Sequence, residues 1–253
     1  MILLYTIFSK KSTVIFIKNL KKPWFCYIIY LYSQKGGVSL KKSERTEYIL
    51  KTLDKIYPNV KCSLNYSNPL EMLIATQLSA QCTDARVNIV TEKLFKRYTN
   101  VIEYANADLS ELEEYIKSAG FYKNKAKNIK ACCSRLIEEY NGEVPDTMEE
   151  LLTLPGTGRK TANLVLGDIF GKPAVVVDTH CIRLSNRLGL TTKQEPEKIE
   201  YELKKLIPPE RQLKFCHQLV NHGRVRCIAR KPDCINCELR DFCKYYNKKR
   251  KED

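Results

Sequence analysis

Leu154-Pro155-Gly156-Thr157-Gly158-Arg159-Lys160-Thr161-Ala162 reads as a sharp turn that opens a helix. The preceding Met148-Glu149-Glu150-Leu151-Leu152-Thr153 is a short helix that must stop at Pro155, and a second helix is expected to start near Arg159. Gly156 and Gly158 permit positive φ and let the backbone approach a ligand closely. Unsatisfied N–H groups at the start of the second helix form an anion site suited to phosphate. Leu154, Gly156, Gly158, Arg159 and Thr161 are therefore expected along a phosphate backbone. A plain helix–helix corner has the same pattern, so the turn needs a second signal.

Lys160, in the first turn of the second helix, supplies one. An ordinary lysine, with a pKa of about 10.4, is a poor nucleophile at neutral pH, whereas a helix dipole's positive end and partial burial both disfavour the charged form. A neutral amine here could attack a sugar carbon and form a Schiff base. Alone, Lys160 reads equally well as a phosphate contact. A catalytic reading needs a carboxylate, and Asp178 in Val176-Val177-Asp178-Thr179-His180 is the candidate. It follows an apolar run and precedes a helix, so it is expected to be an N-cap that also aims its charge at a cationic transition state.

From Lys41 onward apolar residues recur at helical spacing. Ile49, Leu50, Leu53 and Ile56 share a face, as do Val87, Val90, Leu94 and Tyr98, and then Ile129, Cys133, Leu136, Ile137 and Tyr140. Breaks fall at Asn68-Pro69, Ala119-Gly120, Asn141-Gly142, Pro155-Gly156, Gly171-Lys172-Pro173 and Pro208-Pro209, and Asp108, Asp146 and Asp178 are expected N-caps. Ala174 to Val177 is the one strand-like run, too short and solitary for a sheet. The reading is an all-α chain of about ten helices, with a lobe boundary near Pro173.

The 253 residues carry a formal net charge of +14, which favours a polyanionic partner, nucleic acid before membrane. Six of those charges are lysines within residues 1–40, which contain no acidic residue and no arginine. The longest apolar run there, Trp24 to Tyr32, falls well short of the roughly 20 residues a bilayer demands. Lys35-Gly36-Gly37 can be encoded by a purine-rich ribosome-binding sequence, and Leu40 by a TTG start. Residues 1–40 are therefore read as an extension, and the native protein is expected to begin near Leu40.

Cys227, Cys234, Cys237 and Cys243 stand at C-x6-C-x2-C-x5-C in a stretch too short for its own core. They suit either a four-thiolate zinc site or a [4Fe-4S] cluster; a single C-x2-C knuckle tilts the spacing towards iron–sulfur. The other seven cysteines have no regular framework, consistent with reduced thiols in a cytosolic setting. Arg230 and Lys231 lie inside the cysteine loop, with Arg224 and Arg226 beside it, and a metal-held loop would present them to phosphates. His180, His217 and His222 form no metal-ligand spacing and read as structural.

From about Lys41 to Tyr246 the chain resembles the endonuclease III family, bifunctional DNA glycosylases of the helix-hairpin-helix superfamily. The resemblance rests on Leu78-Ser79-Ala80-Gln81-Cys82-Thr83-Asp84, Asn141-Gly142-Glu143-Val144-Pro145, Leu154 to Leu166, Val177-Asp178-Thr179-His180 and the four-cysteine loop, in that order. It implies a two-lobed all-α fold. A six-helix lobe takes residues 62–173, with the helix-hairpin-helix motif at 147–170, and a discontinuous cluster lobe takes 41–61 plus 174–253. It implies Lys160 as Schiff-base nucleophile, Asp178 as the essential carboxylate and a structural [4Fe-4S] cluster on the four cysteines. Gln81 fills the gap left by an extruded nucleotide, and Phe121, where the family more often has Leu, stands on the opposing wedge loop. The implied substrate is duplex DNA with oxidised pyrimidines or abasic sites, handled by a monomer in a bacterial cytoplasm at the nucleoid. Two rivals stand beside this reading. A monofunctional adenine glycosylase keeps hairpin and cluster but does not use a lysine at this position, and a non-catalytic iron–sulfur DNA-binding protein lacks the chemistry.

Overall fold

Apolar residues spaced three and four apart fold residues 42–252 into twelve α-helices. The structure, a computed structural model, describes residues 3–9, 12–18 and 41–252. The helices are α1 (Lys42–Ile56), α2 (Pro69–Leu78), α3 (Asp84–Arg97), α4 (Val101–Ala105), α5 (Leu109–Ile116) and α6 (Tyr122–Tyr140). After them come α7 (Met148–Thr153), α8 (Arg159–Asp168), α9 (Thr179–Leu188), α10 (Pro196–Leu206), α11 (Gln212–Val225) and α12 (Lys244–Glu252). Half of the starts are closed by the side chain that precedes them: Asn68, Thr83, Asn100, Asp108, Thr147 and Asp178 each accept the backbone N–H of the third residue of the helix.

The expected faces are buried, with Ile49, Leu53, Val87, Leu94, Ile129 and Leu136 at 0% exposure, in one continuous apolar core. Burying side chains of this size stabilises by about 1.5–3 kcal/mol each. The chain's first helix packs late in the sequence: α1 lies on α11, where Gln218 Nε2 donates to Asp54 Oδ1 and to the Tyr57 carbonyl, each at 3.1 Å. α2 to α8 pack mainly among themselves, and α8 also meets α11.

Three expectations need correction. Ile137 is 39% exposed, because it sits one position beyond the buried face of α6. Asp146 does not cap α7; Thr147 does, at 3.3 Å, while Asp146 pairs with Lys172 at 2.8 Å. The hydroxyl wins because Glu150 completes the local arrangement with Thr147 Oγ1 at 2.6 Å. Ala174–Val177 is buried and joins no sheet, as expected, but it is not the one strand-like run. The strands that do form are β1 (Leu3–Ser9) and β2 (Ser12–Lys18), an antiparallel pair rich in β-branched and aromatic residues. The expected start near Leu40 falls on residues outside the described ones.

Candidate active site and nucleic-acid interface

The hairpin forms as its residues dictate. α7 ends at Thr153, and the Thr157 N–H donates to the Leu154 carbonyl at 3.1 Å to close the turn. Gly156 has a φ of +75°, and a Cβ there would stand 2.9 Å from the Asn128 Cβ, so conformation and packing both require glycine. Gly158 differs: its φ is −99°, and the positive φ expected for both glycines holds only for Gly156. It is the N-cap of α8, has no side chain to close the helix, and a Cβ on it would meet nothing within 4 Å. The α8 start is thus open to an anion.

Three expected contacts change role. Leu154 is 2% exposed and Thr161 8%, so both residues are buried. The Arg159 guanidinium grips Glu200 on α10 with two hydrogen bonds of 2.7 and 3.1 Å and lies 5.5 Å from the Tyr201 ring centroid. Burial alone would raise the Glu200 carboxyl, but hydrogen bonds from Arg159 and Lys204 hold it below the usual carboxylate value. Arg159 is a clamp between α8 and α10 rather than a side chain free to reach phosphate.

Lys160 occupies the second position of α8 and is exposed, so the partial burial expected for it is not supplied by its own chain. It lies near the Cys62 thiol, which burial pushes up to about 12 and whose rise Lys160 opposes. Asp178 caps α9 as expected, its Oδ1 accepting the Cys181 N–H at 2.7 Å. Among the described residues no direct bond joins Lys160 to Asp178. Their helices share a frame instead, since α8 and α9 both pack on α11. Asp168, at the end of α8, accepts from His217 of α11 at 3.1 Å, which makes that histidine structural as read from the sequence.

Gln81 and Phe121 fall at loop apices. Gln81 lies between α2 and α3 with φ +54°, and Phe121 precedes α6 with φ +50° and 68% exposure. At that exposure Phe121 is no part of the core. Among the described residues only four non-glycine positions have positive φ: these two, Lys231 in the cysteine loop, and Asn141 at the end of α6. Such conformations cost on the order of 1 kcal/mol each and collect where a surface is shaped for a ligand.

The chain matches the family described as "HhH-GPD superfamily base excision DNA repair protein" over residues 74–209. Endonuclease III of Synechocystis is 53% identical over 203 residues, covering 80% of this chain and 93% of that protein. Endonuclease III of Bacillus subtilis is 43% identical over 210 residues, covering 83% and 96%. The chain belongs to the endonuclease III family. A solved non-covalent endonuclease III–DNA complex aligns with a TM-score of 0.80 at 45% identity, covering 85% of this chain and 100% of that one. A trapped covalent endonuclease III–DNA intermediate aligns at 0.79, also at 45% identity, covering 84% and 99%. No helix among the described residues is long and apolar enough to cross a membrane.

In this member of the endonuclease III family the four cysteines Cys227, Cys234, Cys237 and Cys243 line one cavity under Tyr245 and Tyr246. None is in a disulfide. Thiolates around a single zinc ion stand about 3.8 Å apart, as the ~2.3 Å Zn–S bond requires. Among the described residues no three Cys, His, Asp or Glu side chains are grouped to hold one ion. Four thiols on one cavity are a donor set that a metal group can use. Donors also surround them: Arg187 Nη1 is 3.2 Å from Cys227 Sγ, His222 Nε2 is 3.4 Å from Cys237 Sγ, and the Leu239 N–H faces Cys237. Arg183 and Arg187, both on α9, hold the Cys227 to Ala229 carbonyls, so the helix that Asp178 caps also shapes the cysteine loop.

Arg230 and Lys231 are exposed at the tip of that loop, as expected. Arg224 and Arg226 are not free for phosphate: Arg224 bonds Asp84 at 2.6 Å, and Arg226 bonds Asp233 at 2.9 Å. Sequence reasoning missed Glu200, Arg183 and Arg187. A glutamate one helical turn before Lys204 is the only local hint for Glu200, and ordinary surface pairs share it.

Proposed function

We propose that this chain excises oxidised pyrimidines from duplex DNA and then cuts the strand 3′ to the abasic site. The observation that carries the reading is the bare Gly158 start of α8, with Lys160 exposed beside it, on the frame that also holds Asp178. A phosphate seated on the α8 N–H groups brings a sugar within reach of the Lys160 amine. The amine forms a bond to C1′ while the bond from C1′ to the base breaks and the base leaves with the electron pair and a proton. The Asp178 carboxylate stabilises the positive charge on the sugar. Opening of the sugar gives an imine; loss of a C2′ proton then expels the 3′ phosphate.

Gln81 and Phe121 enter the duplex around the extruded nucleotide, and Arg230 and Lys231 hold the backbone. Cys227, Cys234, Cys237 and Cys243 would hold a [4Fe-4S] cluster, which would anchor that loop structurally. The lobes divide at 62–173 and at 41–61 plus 174–253, with the helix-hairpin-helix motif at 147–170. The enzyme works as a monomer in the cytoplasm at the nucleoid.

The test is borohydride trapping and strand cleavage on duplexes bearing thymine glycol, an abasic site, or adenine opposite oxidised guanine. The expected result is a covalent adduct and cleavage on the first two, lost in Lys160→Gln. Activity confined to the third duplex would point to an adenine glycosylase, and salt-dependent binding with no cleavage to a binding protein.

A further inference from the structure

Lys125 is a lysine with 7% exposure that the proposed chemistry does not use. Its Nζ donates to the Leu78 carbonyl at 2.8 Å and to the Ala119 carbonyl at 2.9 Å. Leu78 is the last residue of α2 and Ala119 the last of the 3-10 turn Lys117–Ala119, so the ammonium sits where two helical segments end. Terminal carbonyls there carry partial negative charge, which compensates a cation that burial disfavours and that no carboxylate pairs. Three residues beyond Leu78 stands Gln81; two beyond Ala119 stands Phe121. Both are exposed and in the left-handed region. On the same helix as Leu78, Gln77 Nε2 donates to the Pro155 carbonyl at 3.2 Å and to Thr157 Oγ1 at 3.3 Å, which ties α2 to the hairpin turn.

We propose that Lys125 is a positioning residue that fixes the separation of the Gln81 and Phe121 loops, so that the two side chains enter the duplex as one unit. A buried lysine suits the task because its tetrahedral donors reach two carbonyls from different segments, which an apolar side chain of the same length cannot do. Without it two buried carbonyls lose their partner, and each strained loop relaxes independently. The proposal rests on the reading that these loops insert into DNA; it does not require the amine of Lys160 to act.

The test separates insertion from chemistry. The full chain is bound at saturation to a duplex carrying 2-aminopurine beside a non-cleavable abasic analogue, and the fluorescence rise reports unstacking. Lys125→Met is expected to lose most of that rise and about tenfold in thymine glycol excision, while borohydride trapping on a single-stranded abasic oligonucleotide changes less than about twofold. An unchanged fluorescence rise, or equal losses on duplex and single strand, overturns the proposal. A second measurement leaves Lys125 in place: Gln81→Ala, Phe121→Ala and the double variant are compared for excision from duplex. Paired entry requires the double variant to lose about as much as the worse single variant, and multiplying losses overturn it. A parent chain that unstacks the duplex yet forms no adduct contradicts the Lys160 chemistry and leaves this inference standing.

Discussion

Two helix starts, twenty residues apart in sequence, use the same physics in opposite ways. α9 begins at Asp178, whose carboxylate accepts the helix's own N–H at 2.7 Å. α8 begins at Gly158, which has no side chain to offer and open space beside it. One start satisfies its own N–H; the other leaves its positive end open, which the proposed mechanism fills with a substrate phosphate. A site that must hold a phosphate and stabilise a cationic sugar needs both kinds, and neither alone gives a lyase.

The largest expected effect tests what stands beside the open start. Lys160→Gln should abolish the borohydride adduct and lower excision by about a thousandfold or more, with unfolding unchanged because the side chain is exposed. Asp178→Asn is next. It keeps a capping oxygen but removes the charge, so excision should fall roughly a hundredfold at nearly constant Tm, whereas Asp178→Ala should in addition cost about 1 kcal/mol of stability. Equal Tm losses in the two variants would mean that the carboxylate's charge, not its cap, holds α9.

Gly158→Asp converts the open start into the closed kind. The backbone there, at φ −99° and ψ 176°, accepts aspartate, so thermal unfolding should shift upward by up to about 1 kcal/mol while duplex affinity drops about tenfold. Affinity that holds steady in a titration at fixed salt would remove phosphate from this turn. The smallest effect concerns pH. Glu200, which anchors Arg159 at the α8 start, is held below its ordinary value, so its contribution is complete above about pH 4.5 and is lost as pH falls through the lowered value. Tm should therefore respond to this pair only on the acid side, and Glu200→Gln should flatten that limb.

Much of this was legible locally. The hairpin, the cap at Asp178 and the four cysteines are set by contacts within a few residues, and such signals survive in a bare chain. Thr147 in place of Asp146 shows the limit even there, because two neighbouring oxygens could cap α7 and the choice followed from Glu150 and from Lys172 far along the chain. Arg159 shows it more strongly: beside a turn expected to bind phosphate it reads as a DNA contact, yet its partner Glu200 lies 41 residues on.

The sequence by itself determined the helical periodicity, the turn at Gly156, the chemistry available at Lys160 and Asp178, and the four thiols, since each depends on residue type and short spacing. Only the tertiary structure decided that Phe121 is exposed, that Arg159 is spent on a clamp, and that Lys125 joins two loop bases. Those outcomes depend on which distant carbonyl or carboxylate packing brings within about 3 Å, and hydrogen bonds act only at that range.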